Sequence, residues 1–85
     1  MTITARQDLI VTKIVAGLFA DMSNDRYRGP NFRWARFHEM AADWAVSNFG
    51  LYFREGYKYN ENKIRKHAES YAKELVGRAG YTDGN

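Results

Sequence analysis

Apolar residues recur along this chain at the three- and four-residue spacing of helices, and two polar clusters interrupt the pattern. The interruptions are Ser23-Asn24-Asp25-Arg26-Tyr27-Arg28-Gly29-Pro30 and Gly56-Tyr57-Lys58-Tyr59-Asn60, both rich in residues that favour turns. Between and around them lie segments of helical length, predicted over about 4–22, 31–54 and 60–79. In the first, Ile10, Val11, Ile14, Val15, Leu18, Phe19 and Met22 share half a cylinder at about 100° per residue. Thr4 and Gln7 fit a reciprocal capping box at its start. Its other side carries Leu9, Thr12, Lys13, Ala16 and Ala20. The alanines would let a second copy approach closely, so the readings there are a homo-oligomer contact through helix one and an ordinary solvated face.

The second segment is apolar around most of its circumference. Pro30 suits a first helical turn and Asn31 a cap. Trp34, Phe37, Met40, Ala41, Ala42, Trp44, Ala45, Val46, Phe49, Leu51, Tyr52 and Phe53 leave only a strip of Arg36, Glu39, Asp43, Ser47 and Arg54. Such a helix is central, and Trp44 is expected in the core beside Phe37, Met40 and Leu51. Gly50 weakens the helix and predicts a bend or a stop. Asn48, between Phe37 and Tyr52 on the wheel, is expected to bond a buried group or to mark an interface. The third segment starts at Asn60 as its cap and places Ile64, Ala68, Tyr71, Ala72, Leu75, Val76 and Ala79 on one face. Glu61, Arg65, Glu69 and Lys73 form an alternating ladder on the exposed side. Gly77 and Gly80 are expected to end this helix, leaving 81–85 as a loose tail.

The expected fold is therefore all-α: a compact three-helix arrangement forming one domain over 1–85, with a helical hairpin that dimerises as the alternative. Composition is compatible with this, since 45% hydrophobic and 15% aromatic residues suffice to form a core. The formal charge of +3 permits an anionic partner without demanding one. Absence of cysteine excludes disulfides, a thiolate nucleophile and cysteine-ligated metals, and a cytoplasmic location fits best. The apolar run 14–20, bounded by Lys13 and Asp21, is too short to span a membrane. Asp8 and Lys13 spoil the pattern of a signal peptide.

Little in the chain suggests catalysis. His38-Glu39-Met40-Ala41-Ala42 resembles a zinc-binding helix motif only in its first half, because Ala42 stands where a second histidine is needed. His67 is the other histidine, and no third ligand is placed by spacing, so neither a metal nor a cofactor is expected. No serine or threonine sits at a nucleophile elbow, and no phosphate-cradling glycine loop is present. Glu39 and Asp43 beside Arg36 read as a charged strip.

What stands out is the segment joining helices one and two. Arg26, Arg28, Arg33 and Arg36 interleave with Tyr27, Phe32, Trp34 and Phe37, ahead of a helix N-terminus whose dipole favours an anion. Arg54, Tyr57, Lys58 and Tyr59 make a second cluster after helix two. An unbroken helix over 31–54 would separate the clusters by about 35 Å at about 1.5 Å per residue, making them two sites. The expected function is a small non-enzymatic interaction protein that binds a protein partner through these arginines and aromatics. By analogy of size and composition, it is an inhibitor or adaptor of the kind that phages and mobile elements encode. The alternative is a nucleic-acid-binding helical domain, a transcriptional regulator or accessory factor, favoured by the arginines and a pI of 9.3. Against that alternative, helix two is too apolar for a groove and helix three is charge-balanced.

Overall fold

A computed structural model describes residues 3–49 and 60–83, with side chains from residue 6 onward. Its α-helices are α1, Ile3–Met22; α2, Phe37–Phe49; and α3, Glu61–Ala79. Each helix packs against both of the others. The all-α, three-helix expectation is met, and among the described residues there is no strand. No described helix is long and apolar enough to cross a membrane.

Helix α1 is already helical at Ile3, so Thr4 lies inside its first turn instead of ahead of it. Its buried residues are Val11, Ile14, Val15 and Leu18, the stripe expected from the sequence. The last turn closes on itself: the Ser23 backbone N–H and hydroxyl both donate to the Phe19 carbonyl, at 2.9 and 2.8 Å. Thr12 joins α1 to α3. Its hydroxyl donates to the Asp8 carbonyl at 2.9 Å, so its oxygen is left to accept from His67 Nε2 at 3.0 Å.

Helix α3 follows its sequence signals closely. Asn60 is extended, and its side chain accepts from the Lys63 N–H at 3.2 Å. At the other end Gly80 takes the left-handed conformation, φ 70°, and donates to Gly77 O while Tyr81 N–H reaches Val76 O. These bonds make a Schellman cap, for which glycine is the least strained residue. Gly77 does not end the helix; it lies within it.

Helix α2 departs from expectation at its start and in its phase. Pro30 and Asn31 lie in a turn closed by Phe32 N–H to Gly29 O at 3.1 Å, and Arg33 is extended with no capping side chain. A 3₁₀ turn over Trp34–Arg36 then leads into α2. The missing cap arrives from the far end of the chain, where Asp83 accepts from Trp34 N–H at 2.5 Å and Ala35 N–H at 2.9 Å. Asn31 is thus displaced as the cap by a carboxylate that no local pattern announces. The predicted bend at Gly50 and the predicted extension to Arg54 fall outside the described residues.

The buried residues of α2 are Phe37, Ala41, Ala42, Ala45 and Phe49. Trp44 is not among them: it is 47% exposed, and Met40 is 39% exposed. The expectation that Trp44 is a core residue is therefore corrected. The cause is steric. Helices approach closely where side chains are small. Ala41, Ala42 and Ala45 occupy the inner face of α2 while Ala68 and Ala72 occupy that of α3. An indole at that crossing would force the helices apart. Asn48 is half-buried and donates to the Trp44 carbonyl at 2.7 Å, satisfying itself within its own helix.

Residues 81–83 of the expected loose tail are docked. Tyr81 packs on Trp34 and Phe19, with ring centroids 4.6 and 5.6 Å apart. It completes an aromatic cluster with Phe32 and Phe37 at one end of the molecule. The expected ladder on α3 is also rearranged: Arg65 pairs with Glu61 at 3.4 Å and reaches across to Asp43 of α2 at 2.7 Å.

Candidate functional site

The connection between α1 and α2 contains a single 3₁₀ turn, Asp25–Tyr27, before the one that leads into α2. Asn24 starts it by accepting the Arg26 N–H at 3.0 Å, a local bond that asparagine forms readily. This short turn leaves Tyr27 projecting, 57% exposed.

The structure separates the arginines that the sequence groups together. Arg28 is half-buried, donates to the Met22 carbonyl at 2.6 Å and lies 5.5 Å from the centre of the Trp34 ring. A cation at the C-terminal end of α1, over an indole face, stabilises the fold on both counts. It is therefore part of the framework, whereas the sequence groups it with the partner-binding arginines. Arg33 is exposed and bonds the carbonyls of Phe32 at 2.8 Å and Pro30 at 3.4 Å. Its charge also acts on Asp83, whose carboxyl is held below the ordinary aspartate range first by the Ala35 N–H, with Trp34 N–H and Arg33 adding to the effect. Arg36 pairs with Glu39 at 3.0 Å. That leaves Arg26, exposed, with no ion pair among the described residues. Arg54, Tyr57, Lys58 and Tyr59 lie outside the described residues.

Beside this turn is a groove of about 350 Å³ bounded by Met22, Tyr27, Gly29, Pro30, Asn31, Phe32 and Met40. Its walls come from the end of α1, the connecting turn and the outer face of α2. Trp44, one helical turn beyond Met40, continues the apolar surface along α2. Of the large hydrophobics most exposed among the described residues, Tyr27, Met40 and Trp44 belong to this one region. The helix wheels direct Met22, Met40 and Trp44 to the core, and although Met22 does pack against it, the exposure of Met40 and Trp44 is not evident from the sequence. Its signal was the surplus itself, because a helix apolar over two-thirds of its circumference has more such residues than two neighbours can cover.

Chemically the region offers apolar area, flexible thioethers and a phenol, with Arg26 and Arg33 at its margin. Methionine side chains adapt to varied partner surfaces, and tyrosine and tryptophan supply large contacts at little entropic cost. Among the described residues, no three histidine, cysteine, aspartate or glutamate side chains gather as a metal site. No protein-family model, curated protein or solved structure matches the chain.

Proposed function

We propose that this chain is a small non-enzymatic interaction protein, an inhibitor or adaptor in character, which binds a protein partner through the surface of Tyr27, Met40 and Trp44 with Arg26 and Arg33 at its edge. One observation carries the reading: Tyr27 and Met40, 57 and 39% exposed, line a single groove, and Trp44, 47% exposed, lies one helical turn beyond Met40 on α2. Apolar residues scattered singly on a surface need no explanation, whereas a cluster rimmed by cations has the composition of a protein interface. The same geometry favours protein over nucleic acid. Arg28 serves the framework and Arg36 is paired, so the basic component is thinner than the sequence suggests and the apolar component is richer. Nucleic-acid affinity needs several cations free to meet phosphates.

The test is affinity capture from host-cell lysate with the intact chain, with and without nuclease. The same capture uses a Tyr27→Ser, Trp44→Ser double variant and, as control, Lys63→Glu with Lys66→Glu. Recovery of one protein that survives nuclease, is lost with the first variant and is kept with the second supports the reading. Recovery of nucleic acid alone, or loss only with the lysine variant, overturns it.

A further inference from the structure

A second cleft, of about 270 Å³, opens where the start of α2 faces the end of α3, and it shares no lining residue with the groove. Trp34, Ala72 and Val76 supply its apolar lining, while His38 and Lys73 supply its polar groups. No described residue hydrogen-bonds the ring nitrogens of half-buried His38, and Lys73 forms no ion pair among the described residues. No acid lines the cleft. Asp83, which reaches this end of α2, is committed to the Trp34 and Ala35 N–H groups. The cleft therefore presents hydrogen-bond donors over an aromatic and aliphatic lining.

Gly77 is the second observation. Glycine weakens a helix interior, yet here it neither adopts a positive φ nor relieves crowding, since an added Cβ would meet nothing within 4 Å. No packing contact accounts for a glycine at this point of α3. Its bare backbone forms part of the cleft lining.

We propose that this cleft binds a small organic carboxylate carrying a flat apolar body. The body would lie against Val76 and the accessible edge of Trp34, and the carboxylate would accept from the Lys73 ammonium and the His38 ring, a charge-assisted arrangement. The volume lies just under the usual span for drug-sized ligands and suits a molecule built on a single ring. This site is independent of the partner surface and would survive the failure of that reading.

Titration of the intact chain with benzoate, followed by two-dimensional NMR, tests it. Saturable shifts centred on Trp34, His38 and Val76 are expected at millimolar benzoate, with benzamide, the same ring without the charge, binding at least about tenfold more weakly. Lys73→Gln should reduce benzoate to the level of benzamide. Gly77→Leu should fill the cleft and abolish binding with the Tm retained or raised. Absence of saturable shifts, equal binding of benzoate and benzamide, or undiminished binding by a folded Gly77→Leu variant would overturn the proposal. Should the leucine variant not fold, the Lys73→Gln titration decides the matter alone.

Discussion

Trp44 and Phe37 are both large aromatic residues of one helix, yet they occupy opposite environments, with Phe37 fully buried and Trp44 nearly half exposed. Truncating Phe37 to alanine removes a whole ring from a packed core, at a cost of about 3–5 kcal/mol. Truncating Trp44 should cost clearly less, about 1–2 kcal/mol, because nearly half of its surface is already in water. Urea denaturation of the two variants separates them, and equal losses would mean that α2 is rotated from the phase described. Arg28 and Arg33 make a second contrasting pair. Arg28→Glu removes a hydrogen bond from the end of α1, leaves Trp34 uncovered and places an anion against the negative helix terminus, so a loss of about 1–2 kcal/mol is expected. Arg33→Glu loses exposed contacts to carbonyls of its own turn and a solvent-screened attraction to Asp83, so a smaller loss is expected. A thermal melt in which Arg33→Glu is the more damaging variant would contradict these roles.

At the scale of elements, α1 and α3 were legible in the sequence because their signals are local. The spacing of Val11, Ile14, Val15 and Leu18 defines one buried stripe, and Asn60 and Gly80 mark the ends of α3 through bonds to residues a turn away. Helix α2 was legible as a central helix but not in phase. Apolar residues on most of its circumference give no unique direction, and the packing of Ala41, Ala42 and Ala45 against neighbouring helices selects the face. Its start was illegible for a different reason, since the cap, Asp83, lies at the far end of the sequence. That cap has a signature in pH. Because the native pKa of Asp83 is depressed, its contribution is complete above the ordinary aspartate value and is lost as pH falls through the lowered native value. Asp83→Asn should therefore lower the Tm at neutral pH, and the gap from wild type should close under acid conditions below the ordinary aspartate range. A gap that stayed constant with pH would show that the carboxylate charge is not what holds the start of α2.

At the scale of the molecule, the three helices cover one another's small and branched faces, and the groove and the cleft lie at the surface among the described residues. The basic half of the candidate interface was visible in the spacing of Arg26 and Arg33 around Tyr27, although the same pattern also includes Arg28, which serves the framework. Its apolar half was not, because a hydrophobic residue on a helix wheel is assigned to the core by default and only the finite coverage of neighbouring helices reveals a surplus. Glycine 17 is a further global lever: it sits in the middle of α1 with open space where a Cβ would be. Gly17→Ala should stabilise the chain by about 0.5–1 kcal/mol. Sedimentation of that variant against wild type also tests the homo-oligomer reading of helix one. A loss of association would place a second copy on that face, whereas monomeric sedimentation of both chains with a raised Tm identifies the face as solvated.

The central claim is that the surface around Tyr27, Met40 and Trp44 meets a protein, and photo-crosslinking in the host cell tests it most directly. Benzoylphenylalanine placed at position 44 retains an aromatic body at an exposed site and reacts only with what touches it. A discrete, nuclease-resistant adduct with one protein is expected from position 44, and none from the same probe at Lys66, an exposed position on α3. An adduct from position 66 with none from 44, or adducts to nucleic acid alone, would contradict it.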